Sequence, residues 1–293
     1  MKKLFILLFS AATYISCEKE INLHIQNRKP KIALYALPQA DSIISLNISK
    51  SQDVLTPVSS VNYSLPNASA YLYEDNVLVD SFRASNNNRY VSIKRFRPGI
   101  GKEYEVKISA PGLESVSAKS KLQNPLLRID TAYIIQDSRT IGSSNYDELR
   151  LRITDPPGDN YYKILLYYPG QGNGTLSCIY ADDLSIENSD NFYGDCIGPT
   201  ILSSDKLYNG RVKEFRLFVF QNAMDSEVVN NITNYAQVAV TSITKDEFEY
   251  LKSVEKYDNS YENPFAEPVT IYSNVKNGYG IFGIEKTVKR LVK

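Results

Sequence analysis

Asn67-Ala68-Ser69-Ala70-Tyr71-Leu72-Tyr73-Glu74-Asp75-Asn76-Val77-Leu78-Val79-Asp80-Ser81-Phe82 reads as a β-hairpin. Ala68 to Tyr73 form one arm, Glu74-Asp75-Asn76 carry turn chemistry, and Val77 to Phe82 return. The neighbouring stretches have the same character. Lys31 to Leu37 is a first strand, and Ser42 to Ser49 a second with Ile44, Leu46 and Ile48 at period two. Pro57 to Pro66 is a polar connection, and Arg89–Phe96 and Tyr104–Ser109 are strands on either side of Pro98-Gly99-Ile100-Gly101. Six or more strands in about 95 residues, with turns every 8–12, is the spacing of an immunoglobulin-like or transthyretin-like sandwich. Gly101-Lys102-Glu103-Tyr104 is similar to the corner where a tyrosine pins a strand in such folds.

Asn124-Pro125 marks a boundary, and a second series of strands follows: Ile129–Gln136, Glu148–Thr154, Tyr161–Tyr168, Glu214–Gln221, Tyr235–Ile243 and Val269–Tyr272. Asp155-Pro156-Pro157-Gly158-Asp159-Asn160 is a strong turn. One helix is expected, from Lys245 to about Tyr257. Thr244 and Glu247 make its capping box, and Phe248, Leu251 and Val254 recur along one side. The basic tail, Lys286 to Lys293, frays or adds a last strand. The expected fold class is therefore all-β with two sandwich-like domains: an immunoglobulin/transthyretin-like one at 30–123, and a larger β domain at 124–293 carrying one packed helix near 245–257.

The amino terminus carries an address. Met1-Lys2-Lys3, the apolar run Leu4 to Ala12, and Thr13-Tyr14-Ile15-Ser16-Cys17 have the layout of an export signal, too short to span a membrane. A cysteine directly after a small residue at this point is where bacterial lipoproteins are cut and acylated. The usual pattern places Leu three residues before that cysteine, and this chain has Tyr14 there. The expectation is a signal peptide at 1–16, lipid on Cys17, and a tether at 17–29. Several acyl chains at about 0.8 kcal/mol per buried CH₂ make a stable anchor. Glu18-Lys19-Glu20 resembles the acidic tags that send some lipoproteins to the outer face of the outer membrane, although a plain solvated tether reads the same way.

Composition narrows the function. The 43% hydrophobic and 23% charged residues are those of a chain able to bury a core. Lysine plus arginine equals aspartate plus glutamate, and loss of Lys2 and Lys3 with the leader leaves the mature chain near −2. No basic field is available for nucleic acid. The one histidine, His24, sits in the tether, so neither a Ser-His-Asp arrangement nor a His-based metal site is expected. A carboxylate pair for hydrolysis is conceivable, but nothing in the sequence selects two of the 33 acidic residues. No cofactor and no enzymatic activity are expected.

Two features have both a structural and a binding reading. Cys178 and Cys196 bracket a polar segment with five acidic residues, Asp182, Asp183, Glu187, Asp190 and Asp195. In an exported protein the pair reads as a disulfide worth about 3 kcal/mol, with two buried thiols as the alternative. The acidic residues lack the alternating pattern of a calcium loop and read as solvated. Tyr161, Tyr162, Tyr167 and Tyr168, with Tyr71 and Tyr73, could form a platform for a sugar or siderophore. Adjacent pairs on a strand face opposite ways, however, so packing is the first reading.

Several blocks, taken in order, resemble a Bacteroidota outer-membrane lipoprotein family, domain of unknown function 4249. They are Cys17 to Ile21, Pro30 to Leu34, Asn67 to Asp75, Gly101 to Tyr104, Asp155 to Tyr162, Asn263-Pro264-Phe265-Ala266-Glu267-Pro268, and Asn274 to Gly283. Ala33-Leu34-Tyr35 departs from the more usual valine-rich run. The resemblance implies no catalytic residues. It implies an outer-membrane lipoprotein, on either membrane face, often encoded beside TonB-dependent receptors and acting as an accessory or ligand-binding partner to uptake. Asn263, Pro264, Phe265, Pro268, Asn277 and Gly278 are the candidate partner surface; the alternative is that this block packs the C-terminal strand and helix. A structural or adhesive envelope lipoprotein without a small ligand is the second reading of the chain.

Overall fold

The computed structural model describes residues 29–53, 56–57, 59, 62–86, 88–141, 144–167, 179–181, 183–187, 200–220, 227–229, 232–234, 236–261 and 267–292. The leader, Cys17, the tether and His24 lie outside them. Seven strands come first: β1 (Ile32–Ala36), β2 (Ser45–Lys50), β3 (Ser69–Glu74), β4 (Val77–Ala84), β5 (Arg89–Ser92), β6 (Tyr104–Ser109) and β7 (Val116–Ser120). Then follow β8 (Thr131–Ile141), β9 (Ser144–Thr154), β10 (Tyr161–Tyr167), β11 (Tyr180–Ala181), β12 (Thr200–Ser204) and β13 (Val212–Phe220). The hairpin β14 (Glu227–Val229) and β15 (Ile232–Asn234), then β16 (Gln237–Ile243), lead to helix α1 (Lys245–Tyr261). The series ends with β17 (Tyr279–Phe282) and β18 (Lys286–Leu291).

The described residues are all-β apart from this helix and a short 3-10 turn at Asp205–Leu207. The β3–β4 hairpin turns through Asp75 and Asn76, both at positive φ (47° and 70°), the geometry that matches the twist of paired strands. It lies inside an eight-stranded sheet of order β17-β1-β2-β5-β4-β3-β6-β7. An immunoglobulin- or transthyretin-type sandwich would divide these strands between two sheets; here they share one ladder, and the ladder nearly closes. The Lys276 N–H donates to the Ser117 carbonyl (2.8 Å), and the Ile284 N–H to Ser120 Oγ (2.9 Å), so β7 is tied to the chain on both sides of β17.

Alternation explains what fills the inside. Ile32, Leu34 and Ala36 of β1, Leu46 and Ile48 of β2, and Val106 and Ile108 of β6 point into one core, and their neighbours point out. Val275, Phe282 and Ile284, from far along the chain, complete it. Tyr104 is fully buried; its hydroxyl accepts from the Gly99 N–H (2.8 Å) and donates to Glu74 (2.8 Å), pinning the corner.

A second core lies between two four-stranded sheets, β12-β10-β16-β18 and β11-β13-β9-β8. Ile164, Leu166, Val238 and Val240 face Leu149, Leu151, Phe215 and Leu217 across it. Helix α1 lies outside this sandwich, with Phe248 on Leu202 and Ile243 and its ring 4.9 Å from that of Tyr161. The Glu247 N–H donates to Thr244 Oγ1 (3.3 Å), as the capping box requires.

Two expectations change and a third is decided. Val269–Tyr272 is not a strand. The Tyr272 N–H donates to Ser253 Oγ (2.8 Å) and its hydroxyl to Asp246 (2.5 Å), so this segment docks on the helix rather than in a ladder. Of the two expectations for the tail, the added strand is the one found, as Lys286–Leu291 pairs with β16 as β18. The expected Cys178–Cys196 disulfide is not borne out: no disulfide is found among the described residues, and both cysteines lie outside them. Noncovalent contacts hold the described flanks. Tyr180 and Ala181 pair with β13, Ile186 bridges Ser203, Asp183 meets Lys213 at 2.8 Å, and Glu187 meets Lys252 at 2.8 Å.

Two ion-paired carboxylates, Glu148 and Glu187, set an acid limit. Arg216 (2.7 Å), with Ser138 and Arg150, holds Glu148 down to about 2. Burial pushes Glu187 up, but Lys252, Ser204 and Lys206 bring it down to about 2. A depressed carboxyl lends stability above its ordinary value, and that stability is lost as pH falls through the folded one. The heat-denaturation midpoint should therefore drop between about pH 4.5 and 2, and Glu148→Gln should flatten that slope. Equal slopes for the two proteins would contradict it.

Candidate functional site

The outer face of the first sheet is where its alternation leaves uncommitted side chains. On β1 and β2 the outward positions are Ala33, Tyr35, Asn47 and Ser49, with Tyr35 opposite Asn47 and Ala33 opposite Ser49. Strand β17 runs parallel to β1 and sets Tyr279 beside Ala33. One end of this face is roofed by α1 through Tyr250, whose ring lies 6.4 Å from that of Tyr35 at a tilt of 54°. Ile271, Tyr272 and Ser273 form the far wall. The enclosed groove measures about 520 Å³, within the range of about 300–1,000 Å³ typical of small-ligand sites.

The described lining of the groove is aromatic, with a few amides and hydroxyls. Tyr35 and Tyr279 are 47% and 44% exposed, large for rings that a purely structural role would cover. Tyr272 and Tyr250 form its wall and roof. Burial, and for Tyr272 the adjoining Asp246, raises these phenols, Tyr272 to about 12, so they remain hydrogen-bond donors. No carboxylate, lysine or arginine is among the lining residues. Lys31 stands 5.4 Å from the centre of the Tyr279 ring. The polar groups are amides and hydroxyls. Asn88 Oδ1 is closed off from solvent and has no hydrogen-bond partner, which costs roughly 1–3 kcal/mol. Asn88 sits at φ 64°, a conformation Asn tolerates, and its carbonyl accepts from the Ile48 N–H (2.9 Å), which holds it beside β2.

Gly280 is part of the groove for a steric reason. A Cβ there would fall 1.9 Å from the Leu34 carbonyl oxygen, at a φ of 108°. Glycine lets β17 lie against β1 and keeps this part of the groove clear. Behind Tyr35 lies a buried ionic cluster. Lys163 of β10 pairs with Glu285 and lies 3.3 Å from Glu247, and Gln39 Nε2 donates to Glu285 (2.5 Å). Burial and the neighbouring Glu285 push the Glu247 carboxyl well up. Neither carboxylate lines the groove.

The residues singled out from sequence fall as follows. Cys17, Cys178, Cys196, Asn263, Pro264 and Phe265 lie outside the described residues. Pro268 and Asn277 are exposed, and Gly278 packs on the sheet: a Cβ there would meet the Ile32 carbonyl oxygen at 2.6 Å. Asn274 clips this block together through both atoms of its amide. The same block supplies Ile271, Tyr272, Ser273, Tyr279 and Gly280 to the groove. The tyrosines first considered as a platform do not gather. Tyr162 is core, with its hydroxyl on Asp155; Tyr161 stacks on Phe248; Tyr73 and Tyr167 sit under Lys107 and Lys289; Tyr168 is outside the described residues. Among the described residues no three potential metal ligands cluster, and no helix is long and apolar enough to cross a membrane. A second cavity of about 340 Å³, at the amino end of α1, mixes Lys121 and Lys245 with Asp159.

Sequence reasoning missed Tyr35, Asn47, Asn88 and Tyr279. The available signal was period two on β1: with Leu34 inward, Ala33 and Tyr35 must face out.

No curated protein matches the chain. A family profile matches residues 18–290, nearly the whole of it. The chain belongs to the family described as domain of unknown function 4249 (DUF4249).

Proposed function

We propose that this is a non-enzymatic cell-envelope protein, anchored in the outer membrane by lipid on Cys17, that holds a small ligand in its tyrosine groove for a TonB-dependent receptor beside it. One observation carries the ligand-binding part: a groove of about 520 Å³ with exposed tyrosine rings and the amides and hydroxyls of Asn47, Ser49 and Ser273 along it. Apolar and aromatic walls with a few polar groups are the usual mark of a ligand site. Family membership is consistent with an outer-membrane-associated protein in general. The leader sequence and the family resemblance support the lipid and the receptor.

The test is a gentle detergent pull-down of the tagged lipidated protein from its own outer membrane, read by mass spectrometry against Cys17→Ala. A TonB-dependent receptor recovered in stoichiometric amount with the wild type and lost with Cys17→Ala is the expected result. Recovery of the protein alone would overturn the receptor partnership.

A further inference from the structure

We infer that Glu247 and Glu285 hold one proton between them, and that its loss to solvent frees α1 from the first sheet at the Tyr250–Tyr35 contact. Such a proton sits in the protein with or without a ligand in the groove.

Charge is the first observation. Glu247 is completely buried and Glu285 nearly so. Among the described residues one cation reaches them: Lys163 of β10, paired with Glu285 and 3.3 Å from Glu247 Oε1. Lys286, next in the chain to Glu285, turns to Asp41 instead (2.9 Å). From β1 the cluster is faced by Tyr35, a neutral phenol, and from the loop after it by the neutral amide of Gln39. On α1 itself Asp246 is taken up by Tyr272 (2.5 Å) and Asn274 (3.3 Å). Two carboxylates against one ammonium leave a negative charge that no water solvates, and a pair so placed keeps a proton.

The contacts show which carboxyl carries it. Glu285 has a donor on each oxygen, Lys163 on Oε1 and Gln39 Nε2 on Oε2 (2.5 Å). Glu247 has only the longer contact from Lys163, and its Oε2 has no hydrogen-bond partner. Two ionised carboxylates can only accept. With a proton, Glu247 becomes a donor to Glu285, which lies within its hydrogen-bonding reach.

The proton is also placed where it bears on the helix. Glu247 Oε2 is pressed against the end of β17: a Cβ on Gly283 would stand 2.8 Å from it. Tyr250 lies about one turn further along α1, its ring 6.4 Å from that of Tyr35. Losing the proton sets two negative groups across this contact. The rest of α1 stays on the second sandwich through Phe248 against Tyr161 and Lys252 on Glu187 (2.8 Å). Repulsion therefore parts the helix from the first sheet, at the roof of the groove.

Two measurements on the full chain test this. In NMR of protein labelled with ¹³C at the glutamate carboxyls, one glutamate should be protonated at pH 7 in the wild type and missing from Glu247→Gln. Glu285→Gln removes the repulsion, so Glu247 should ionise there at a lower pH. Hydrogen exchange, corrected for the pH dependence of unstructured peptide, reads the helix. The docked form keeps a proton that the freed form releases, so protection of the first turns of α1 should fall about tenfold per pH unit above pH 6. In Glu247→Gln it should stay level. Finding every glutamate ionised at pH 7, or an unchanged Glu247 titration in Glu285→Gln, would overturn the shared proton. Equal slopes of protection in the wild type and Glu247→Gln would overturn its hold on the helix. Neither readout depends on the groove binding anything.

Discussion

Replacing Lys163 with methionine should destabilise the protein by about 3–5 kcal/mol, the cost of removing one partner from a buried ionic cluster. Lys163 Nζ is the cation shared by Glu285 and Glu247, and Glu247 is completely buried. Lys163 meets Glu247 through Oε1, and Oε2 has no hydrogen-bond partner, so methionine leaves two adjacent carboxyls without their cation. The loss should depend on pH, and its sign follows from the raised carboxyl of Glu247. A carboxyl whose folded value lies above its unfolded one is harmless below the unfolded value and destabilises as pH rises toward the folded one. Removing the cation raises it further. Chemical denaturation of Lys163→Met should therefore show a larger deficit at pH 8 than at pH 5. Adding Glu247→Gln should restore part of the loss at pH 8. A deficit below about 1 kcal/mol, or one independent of pH, would show that the cluster is open to water.

Gly280→Ala should cost on the order of 3 kcal/mol or more, combining backbone strain and overpacking. Its φ of 108° belongs to a region that L-residues rarely adopt, and the new Cβ would overlap the Leu34 carbonyl oxygen at 1.9 Å. That oxygen is backbone in the middle of β1, so relief means parting β17 from β1. Gly101→Ala isolates the strain: its φ is 82°, but a Cβ there meets nothing within 4 Å, and the expected loss is about 1–2 kcal/mol. Equilibrium unfolding of the two variants side by side measures the clash as their difference. Equal losses would mean that β17 can shift without consequence.

Much of the fold could be read from local pattern. The Ala68–Phe82 hairpin, the Tyr104 corner and the Thr244–Glu247 cap each depend on residues within a few positions of one another, and each is present. The pairing of β17 with β1 could not be read this way. Gly278-Tyr279-Gly280-Ile281-Phe282 has two glycines in five residues and little strand character of its own. It becomes a strand because β1 presents a complementary edge and Gly280 permits close approach. The groove was hidden for the same reason. Its tyrosines come from β1, α1, the 271–273 segment and β17, and only the assembled sheet brings them together. Ala33-Leu34-Tyr35, which reads as a departure affecting packing, supplies part of the groove floor.

The position of β17 also governs how the molecule is made. Ala33 and its partner Tyr279 are 246 residues apart, so the first sheet cannot finish until almost everything after it has been delivered. Closing so long a loop costs roughly 5 kcal/mol of chain entropy on the logarithmic scale, and contacts of such separation form late and slowly. During synthesis the amino-terminal half waits with the β1 edge uncovered, open to mispairing with other chains. A truncation before Tyr279 would fix the protein at that stage, with its damage appearing in the half of the chain that was left untouched.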